Sequence, residues 1–202
     1  MNIVLKKSSK SDACHHEFVE RKGVGHPDTL SDYIAETASH KYSKYCISKF
    51  GKVANHWFDK VMIIGGESDI SYGVGKVLKP YTVVFAGKVT NKVGSYNIPV
   101  KQILQEACSE ILGKYLTGFD SELHLVIENK LVDYQGAGRK ANRYQPESES
   151  QLPSISDVSE LVSNDCNLIS GYAPYSILEG IVLFVEKYLT SADFKAKHPD
   201  TG

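Results

Sequence analysis

The chain has 202 residues, with 23 Lys and Arg against 24 Asp and Glu and a formal net charge of −1. That balance gives no electrostatic case for nucleic acid or an anionic membrane as partner, and no apolar run approaches the length of a membrane span. With 42% hydrophobic residues the composition is that of an ordinary globular protein, long enough for one or two domains and a sizeable core.

Before Lys6-Lys7 the N-terminus carries only Ile3-Val4-Leu5, too short for the apolar region of a signal peptide, so a cytoplasmic location is expected. Cys14, Cys46, Cys108 and Cys166 are scattered without a C-x-x-C pair, which fits reduced thiols better than a disulfide framework. Cys14-His15-His16 lacks the second ligand pair a zinc site needs.

Residues 14–21 read as an extended lead into Glu20-Arg21-Lys22-Gly23-Val24-Gly25-His26-Pro27-Asp28. The glycines permit a tight backbone turn, and Pro27 supplies the φ suited to the first position of a helix. A helix over 27–50 follows, with Leu30, Ile34, Ala38, Tyr42, Cys46 and Phe50 at steps of four and Gly51 as its stop. Asp28, Asp32 and Glu36 are also spaced by four and lie roughly opposite that apolar stripe. Like charges at this spacing repel by about 0.2–0.5 kcal/mol per pair. Two readings stay open. The stripe is a solvated face, with Asp28 complementing the helix dipole and His26 as a cap, or it faces a divalent cation that shares oxygen ligands with a phosphate at the helix N-terminus.

Val61–Ile64 and Tyr81–Ala86 are short apolar runs that read as buried strands, with a turn at Gly73-Val74-Gly75 between them. Pro99 opens a second helix to about Leu116, and alternation of Leu123, Leu125 and Ile127 with His124, Val126 and Glu128 predicts a strand with one wetter face. Cys108 and His124 read as structural. From Gln135 to Ser159 the chain turns polar, as a long loop or insertion does. Ser176 and Glu179 form a capping box for a third helix built on Ile177, Ile181, Val185 and Tyr188. The spacing suits an α+β sandwich of mixed sheets packed with helices, divided as a region over 1–130, a polar loop over 131–162 and a final block over 163–202.

Three ordered blocks carry a resemblance. Lys22-Gly23-Val24-Gly25-His26-Pro27-Asp28 with Ser31-Asp32-Tyr33-Ile34-Ala35-Glu36 resembles the start of S-adenosylmethionine synthetase (methionine adenosyltransferase) of the archaeal type. Asn55-His56, Asp59-Lys60 and Ile64-Gly65-Gly66 resemble its next block, and Ser163-Asn164-Asp165 and Gly171-Tyr172-Ala173-Pro174 with Ser176 and Glu179 a third. The similarity spans roughly Glu17 to Gly202. It implies an incomplete copy of a three-domain, pseudo-threefold architecture, and a reaction joining the sulfur of L-methionine to C5′ of ATP with release of phosphate and diphosphate.

By this resemblance His26 sits beside the triphosphate leaving group, Asp28 is a Mg²⁺ ligand and Glu20 a second acidic position near the metal. Asp165 matches a substrate-contacting aspartate with a catalytic role, Lys60 joins the ATP- and substrate-binding residues, and Glu67 looks like the glutamate that contacts methionine in the bacterial branch. Family members also use K⁺, but the bacterial glutamate for it falls near Ala54. The implied partners are ATP, L-methionine and either a second copy, as a homodimer, or a complementary C-terminal half.

Departures are visible too. His56-Trp57-Phe58 stands where the archaeal type has His-His-Asn, an Arg becomes Lys88, which loses the bidentate fork, and Cys166-Asn167-Leu168-Ile169-Ser170 replaces Thr-Ser-Phe-Gly-Val. The family's later lysines and Gly-rich phosphate segment would lie beyond Gly202, so a fragment or half enzyme is expected. Two alternatives remain: an inactive ATP- or methionine-binding or oligomerisation module, and an unrelated metal-dependent phosphohydrolase.

Overall fold

The computed structural model describes residues 4–7, 16–134, 142–154 and 171–199. Two compact units divide the chain, one over 24–166 and the other over 1–23 with 167–201.

In the larger unit, helix α1 (Pro27–Phe50) begins at its Pro27 and stops at Gly51, whose φ of 68° is the left-handed cap position. Leu30, Ile34, Ala38, Tyr42, Cys46 and Phe50 are all buried, the apolar stripe expected from the sequence. The stripe packs against a sheet of β1 (His56–Ile64), β4 (Tyr81–Val89) and β7 (Leu125–Val132), ordered β1-β4-β7. Strand β4 pairs antiparallel with β1 and parallel with β7, and the parallel pair is joined through α2 (Val100–Tyr115), as such a crossover requires. Ile103, Leu104, Ala107, Cys108, Ile111 and Leu112 of α2 complete the core with Val83, Phe85 and Val89 of β4. Each fully buried Val, Leu or Phe here contributes about 1.5–3 kcal/mol.

Among the described residues Tyr42 is the largest fully buried side chain, and its hydroxyl donates to the Thr90 carbonyl at 2.7 Å. Thr90 in turn donates its N–H and its hydroxyl to the Asn55 carbonyl at 3.0 and 2.8 Å. Burial raises the Tyr42 hydroxyl well above the usual tyrosine range and pushes the Cys108 thiol up to about 12. Cys46 and Cys108 are free, buried thiols. Cys14 and Cys166 lie outside the described residues.

Several expectations need correction. The strand expected over 61–64 begins at His56, and it is not buried on both faces, since Met62 and Ile64 are about half exposed. The turn expected at 73–75 is present at Tyr72-Gly73, but it is the tip of an exposed hairpin of β2 (Glu67–Ser71) and β3 (Val74–Lys79), two strands that were not expected. The third strand runs two residues later than the alternation predicts, because the Asp120 carboxylate accepts from the Glu122 N–H and His124 Nδ1 from the Asp120 N–H, folding Leu123 into a turn. Within the expected polar loop, 142–154 is folded, with Tyr144 and Leu152 buried; the remainder of that stretch, 135–141 and 155–159, lies outside the described residues. Two short strands, β5 (Lys92–Val93) and β6 (Tyr96–Asn97), were not expected.

The smaller unit holds α3 (Ile177–Leu189) and α4 (Ala192–Lys197). The capping box is present in full: Ser176 Oγ accepts from the Glu179 N–H at 3.1 Å, and the Glu179 carboxylate accepts from the Ser176 N–H at 2.7 Å.

Strand β1 carries an irregularity between Trp57 and Lys60, so that Phe58 and Asp59 together oppose Gly87 of β4. This is a β-bulge, a device that re-aims side chains beside it. Gly87 has φ 145°, and a Cβ there would meet the Trp57 carbonyl oxygen at 2.2 Å. Gly87→Ala should therefore cost at least about 2 kcal/mol through backbone strain and clash. Urea unfolding checks this, and a stability equal to that of the parent chain would remove the bulge from its place in the fold.

Candidate functional site

His26 is the N-cap of α1, with φ −65° and ψ 137°, and its Nδ1 accepts the Asp28 N–H at 3.1 Å. Because Nδ1 is the acceptor, the neutral ring carries its proton on Nε2, which is left able to donate to an anion. Both side chains are exposed, at the end of a 24-residue helix whose dipole favours negative charge. The cap reading of His26 is thus correct, and it is compatible with a phosphate role because only one ring nitrogen is used.

The acidic stripe lies along β1. Asp28 and Asp32 line a groove of about 190 Å³ with Pro27, Ser31, Val61, Met62 and Ile63. Asp32 also lines a neighbouring groove of about 520 Å³ with Ala35, Glu36, Ser39, His56, Trp57, Phe58 and Asp59. The two grooves share Asp32 and follow the line between α1 and β1. Among the described residues no group of three or more His, Cys, Asp and Glu could hold a metal ion. Mg²⁺ usually takes one or two protein carboxylates and completes its shell with phosphate oxygens and water. Asp28 and Asp32, exposed in one groove, fit the protein's share of such a shell.

The other expected site residues lie on other segments. Lys60 is exposed on β1 and pairs with Asp59; Glu67 is exposed on β2 and pairs with Lys79 across the hairpin. Glu20 is exposed in the smaller unit, next to Arg21, which pairs with Glu186 of α3. Asp165 lies outside the described residues. Ala54, where the family's K⁺ glutamate would fall, is buried and supplies its carbonyl to His56.

Two arrangements were not read from the sequence. His56 donates from Nδ1 to the Ala54 carbonyl at 3.0 Å, which leaves Nε2 to accept from the Ser39 hydroxyl at 2.8 Å. Its ring lies against Tyr42 and Phe58, at centroid distances of 4.5 and 5.2 Å. Ser39 continues the acidic stripe one turn beyond Glu36, and that spacing was the available signal. The second is Lys88, whose ammonium donates to the Tyr134 carbonyl at 3.2 Å and lies 5.7 and 5.6 Å from the ring centroids of Tyr134 and Tyr144. A point charge between two rings needs no guanidinium fork.

The family model described as S-adenosylmethionine synthetase (AdoMet synthetase) matches residues 1–202. The S-adenosylmethionine synthase of Sulfurisphaera tokodaii is 34% identical over 210 residues, covering 100% of this chain and 48% of the relative. That of Hyperthermus butylicus is 35% identical, covering 92% of this chain and 44% of the relative, and that of Saccharolobus islandicus is 34% identical, covering 100% and 48%. The chain therefore spans about half the length of the curated relatives it matches. No described helix is long and apolar enough to cross a membrane.

Burial lowers the pKa of His56 from its ordinary 6.5, against a smaller upward pull from the Ala54 carbonyl. The unfolded chain then binds the extra proton first, so this contribution to stability is full above about pH 6.5 and is lost as the pH falls through the folded value. Urea midpoints should fall between pH 7 and pH 5, and His56→Gln should flatten that part of the profile. An identical slope in the variant would contradict the assignment.

Proposed function

Because the chain belongs to the S-adenosylmethionine synthetase family, we propose that it supplies the N-terminal half of a methionine adenosyltransferase. The observation that carries the reading is the His26 cap: Nδ1 is committed to the Asp28 N–H, while Nε2 remains as a donor at the positive end of α1. The three-domain, pseudo-threefold architecture belongs to the same reading, as do a cytoplasmic setting and either assembly as a homodimer or completion by a C-terminal half.

The methionine sulfur is already nucleophilic, so the reaction needs no protein nucleophile. A bond forms between sulfur and C5′, the C5′–O bond breaks, and its electron pair leaves on the triphosphate. The site must align sulfur with C5′ and stabilise the charge that develops on the departing oxygen. His26 Nε2 and the N-terminus of α1 provide donors for that oxygen and its phosphates. Asp28, with Glu20 in the role the family resemblance gives it, would hold Mg²⁺, which neutralises triphosphate charge when bound; Asp32 extends the carboxylate edge. K⁺ has no equivalent carboxylate at Ala54 and enters no step. Lys60 would contact ATP, Glu67 the methionine, and Asp165 the substrates.

A carboxylate-lined half site does not neutralise a triphosphate on its own, so the reading assigns the basic residues to the complementary half. One observation favours the alternative of an inactive binding or oligomerisation module. Phe58, where the archaeal type has a polar Asn, is 4% exposed and belongs to the hydrophobic core. The phosphohydrolase reading lacks comparable support, since the family model that matches the chain is that of the synthetase.

Mass spectrometry for S-adenosylmethionine, with ATP, Mg²⁺, K⁺ and methionine, decides between these. Product should appear when the C-terminal half of a relative is added. Binding without product would favour the inactive module, and diphosphate without S-adenosylmethionine would favour the hydrolase. In the reconstituted reaction His26→Ala should lower turnover by about 10²-fold or more, the cost of one transition-state donor, together with about 1 kcal/mol of helix capping. Unchanged turnover removes His26 from the mechanism. Asp28→Asn should raise the Mg²⁺ concentration needed for half-maximal rate, and an unaltered requirement returns Asp28 to a helix-dipole role alone.

A further inference from the structure

The two units differ in what they bury. Every residue of the main core cluster lies between Leu30 and Leu152, all in the larger unit. In the smaller unit no residue of α3 or α4 is buried. Yet only Glu179, Gly180, Glu186 and Lys187 interrupt the apolar run of α3. Ile177, Ile181, Phe184 and Tyr188 fall at i, i+4, i+7 and i+11, one continuous stripe. Their exposures are 86%, 53%, 67% and 46%. The stripe continues into α4, where the Phe194 ring meets that of Tyr188 at 5.3 Å. A 13-residue helix of this composition has little stability of its own in water and owes its form to a surface that covers its apolar face.

The comparison supplies a candidate for that surface. The match takes in the whole of this chain but 48% of the Sulfurisphaera tokodaii synthase. The relatives thus carry a further length of polypeptide, similar in size to this chain, outside the matched region.

We infer that the Ile177–Ile181–Phe184–Tyr188 face of α3 is the docking surface for the half of the synthetase fold that this match does not span, presented as an apolar sheet or helix face. The inference rests on the half-enzyme reading but concerns binding alone. The open face of the larger unit's sheet carries charges among its apolar residues, with Lys60, Glu128 and Lys130 beside Met62, Ile64 and Val126. The α3 stripe carries none, so it has the stronger need for cover.

The test mixes the intact chain with the unmatched portion of the Sulfurisphaera tokodaii or the Hyperthermus butylicus synthase, without ATP or methionine. Sedimentation reads the stoichiometry and calorimetry the affinity. A one-to-one complex should form with at least one portion. Ile181→Glu and Phe184→Glu should each weaken it by about 30-fold or more, as truncation of a central anchor does. Phe184→Leu should retain most of the affinity, and Leu123→Glu, an exposed site in the larger unit, should leave it within about twofold. No complex with either portion, or one indifferent to Glu at 181 and 184, would overturn the inference. So would self-association of the chain alone that Phe184→Glu abolishes, since the occupant would then be a second copy. A complex that makes no S-adenosylmethionine keeps the docking face and removes the catalytic reading.

Discussion

The rest of the larger unit follows from the burial of one helical stripe. With Leu30, Ile34, Ala38, Tyr42, Cys46 and Phe50 committed to the core, α1 has no rotational freedom about its axis. Asp28, Asp32 and Glu36 are then carried together along β1, where they line two adjoining grooves. Tyr42 fixes the register as well as the rotation, because its hydroxyl must reach the Thr90 carbonyl just beyond β4. A buried hydroxyl without that acceptor would lose roughly 1–3 kcal/mol. The position of His26 is a consequence: it is the last residue before a helix whose rotation and translation are both set by packing.

The β1 bulge places the opposite wall of the groove. By setting Phe58 and Asp59 together against Gly87, it lets Phe58 enter the core while Trp57 and Asp59 remain exposed. His56, held by Ala54 and Ser39, links that wall back to α1. The candidate site thus lies on a helix and a strand, with its carboxylates exposed and the His56 contacts beside it part-buried. With the acids set apart from the core in this way, a ligand at the proposed site would leave the core's packing unchanged. The smaller unit is organised differently, with ion pairing at Arg21–Glu186 and capping at Ser176, but an apolar face of α3 that is largely exposed.

Local signals explain what was legible in the sequence. The start of α1 at Pro27, its stop at Gly51 and its buried stripe are set by residues within a turn of one another, as is the Ser176–Glu179 box of α3. The family resemblance rested on equally local blocks and held across all 202 residues. What escaped depends on partners distant in sequence. The bulge needs Gly87 opposite Phe58 and Asp59, and His56 meets Ser39 17 residues away. The hairpin of β2 and β3 is exposed along nearly its whole length, so its residues carry no inside–outside alternation to read. The departure at Lys88 looked like a loss on sequence grounds. Tyr134 and Tyr144, brought to it by folding, supply the partners that a lone lysine lacks.

The central claim is that the N-terminus of α1 and its acidic edge form the triphosphate side of a divided active site. Amide chemical shifts of the chain titrated with tripolyphosphate and Mg²⁺ test it most directly, because they report place rather than turnover. The account predicts saturable shifts concentrated at Gly25, His26, Asp28 and Thr29, diminished by omitting Mg²⁺ and by Asp28→Asn. Shifts centred instead on His40, Lys41 and Lys44, the basic edge of the groove between α1 and α2, would contradict it.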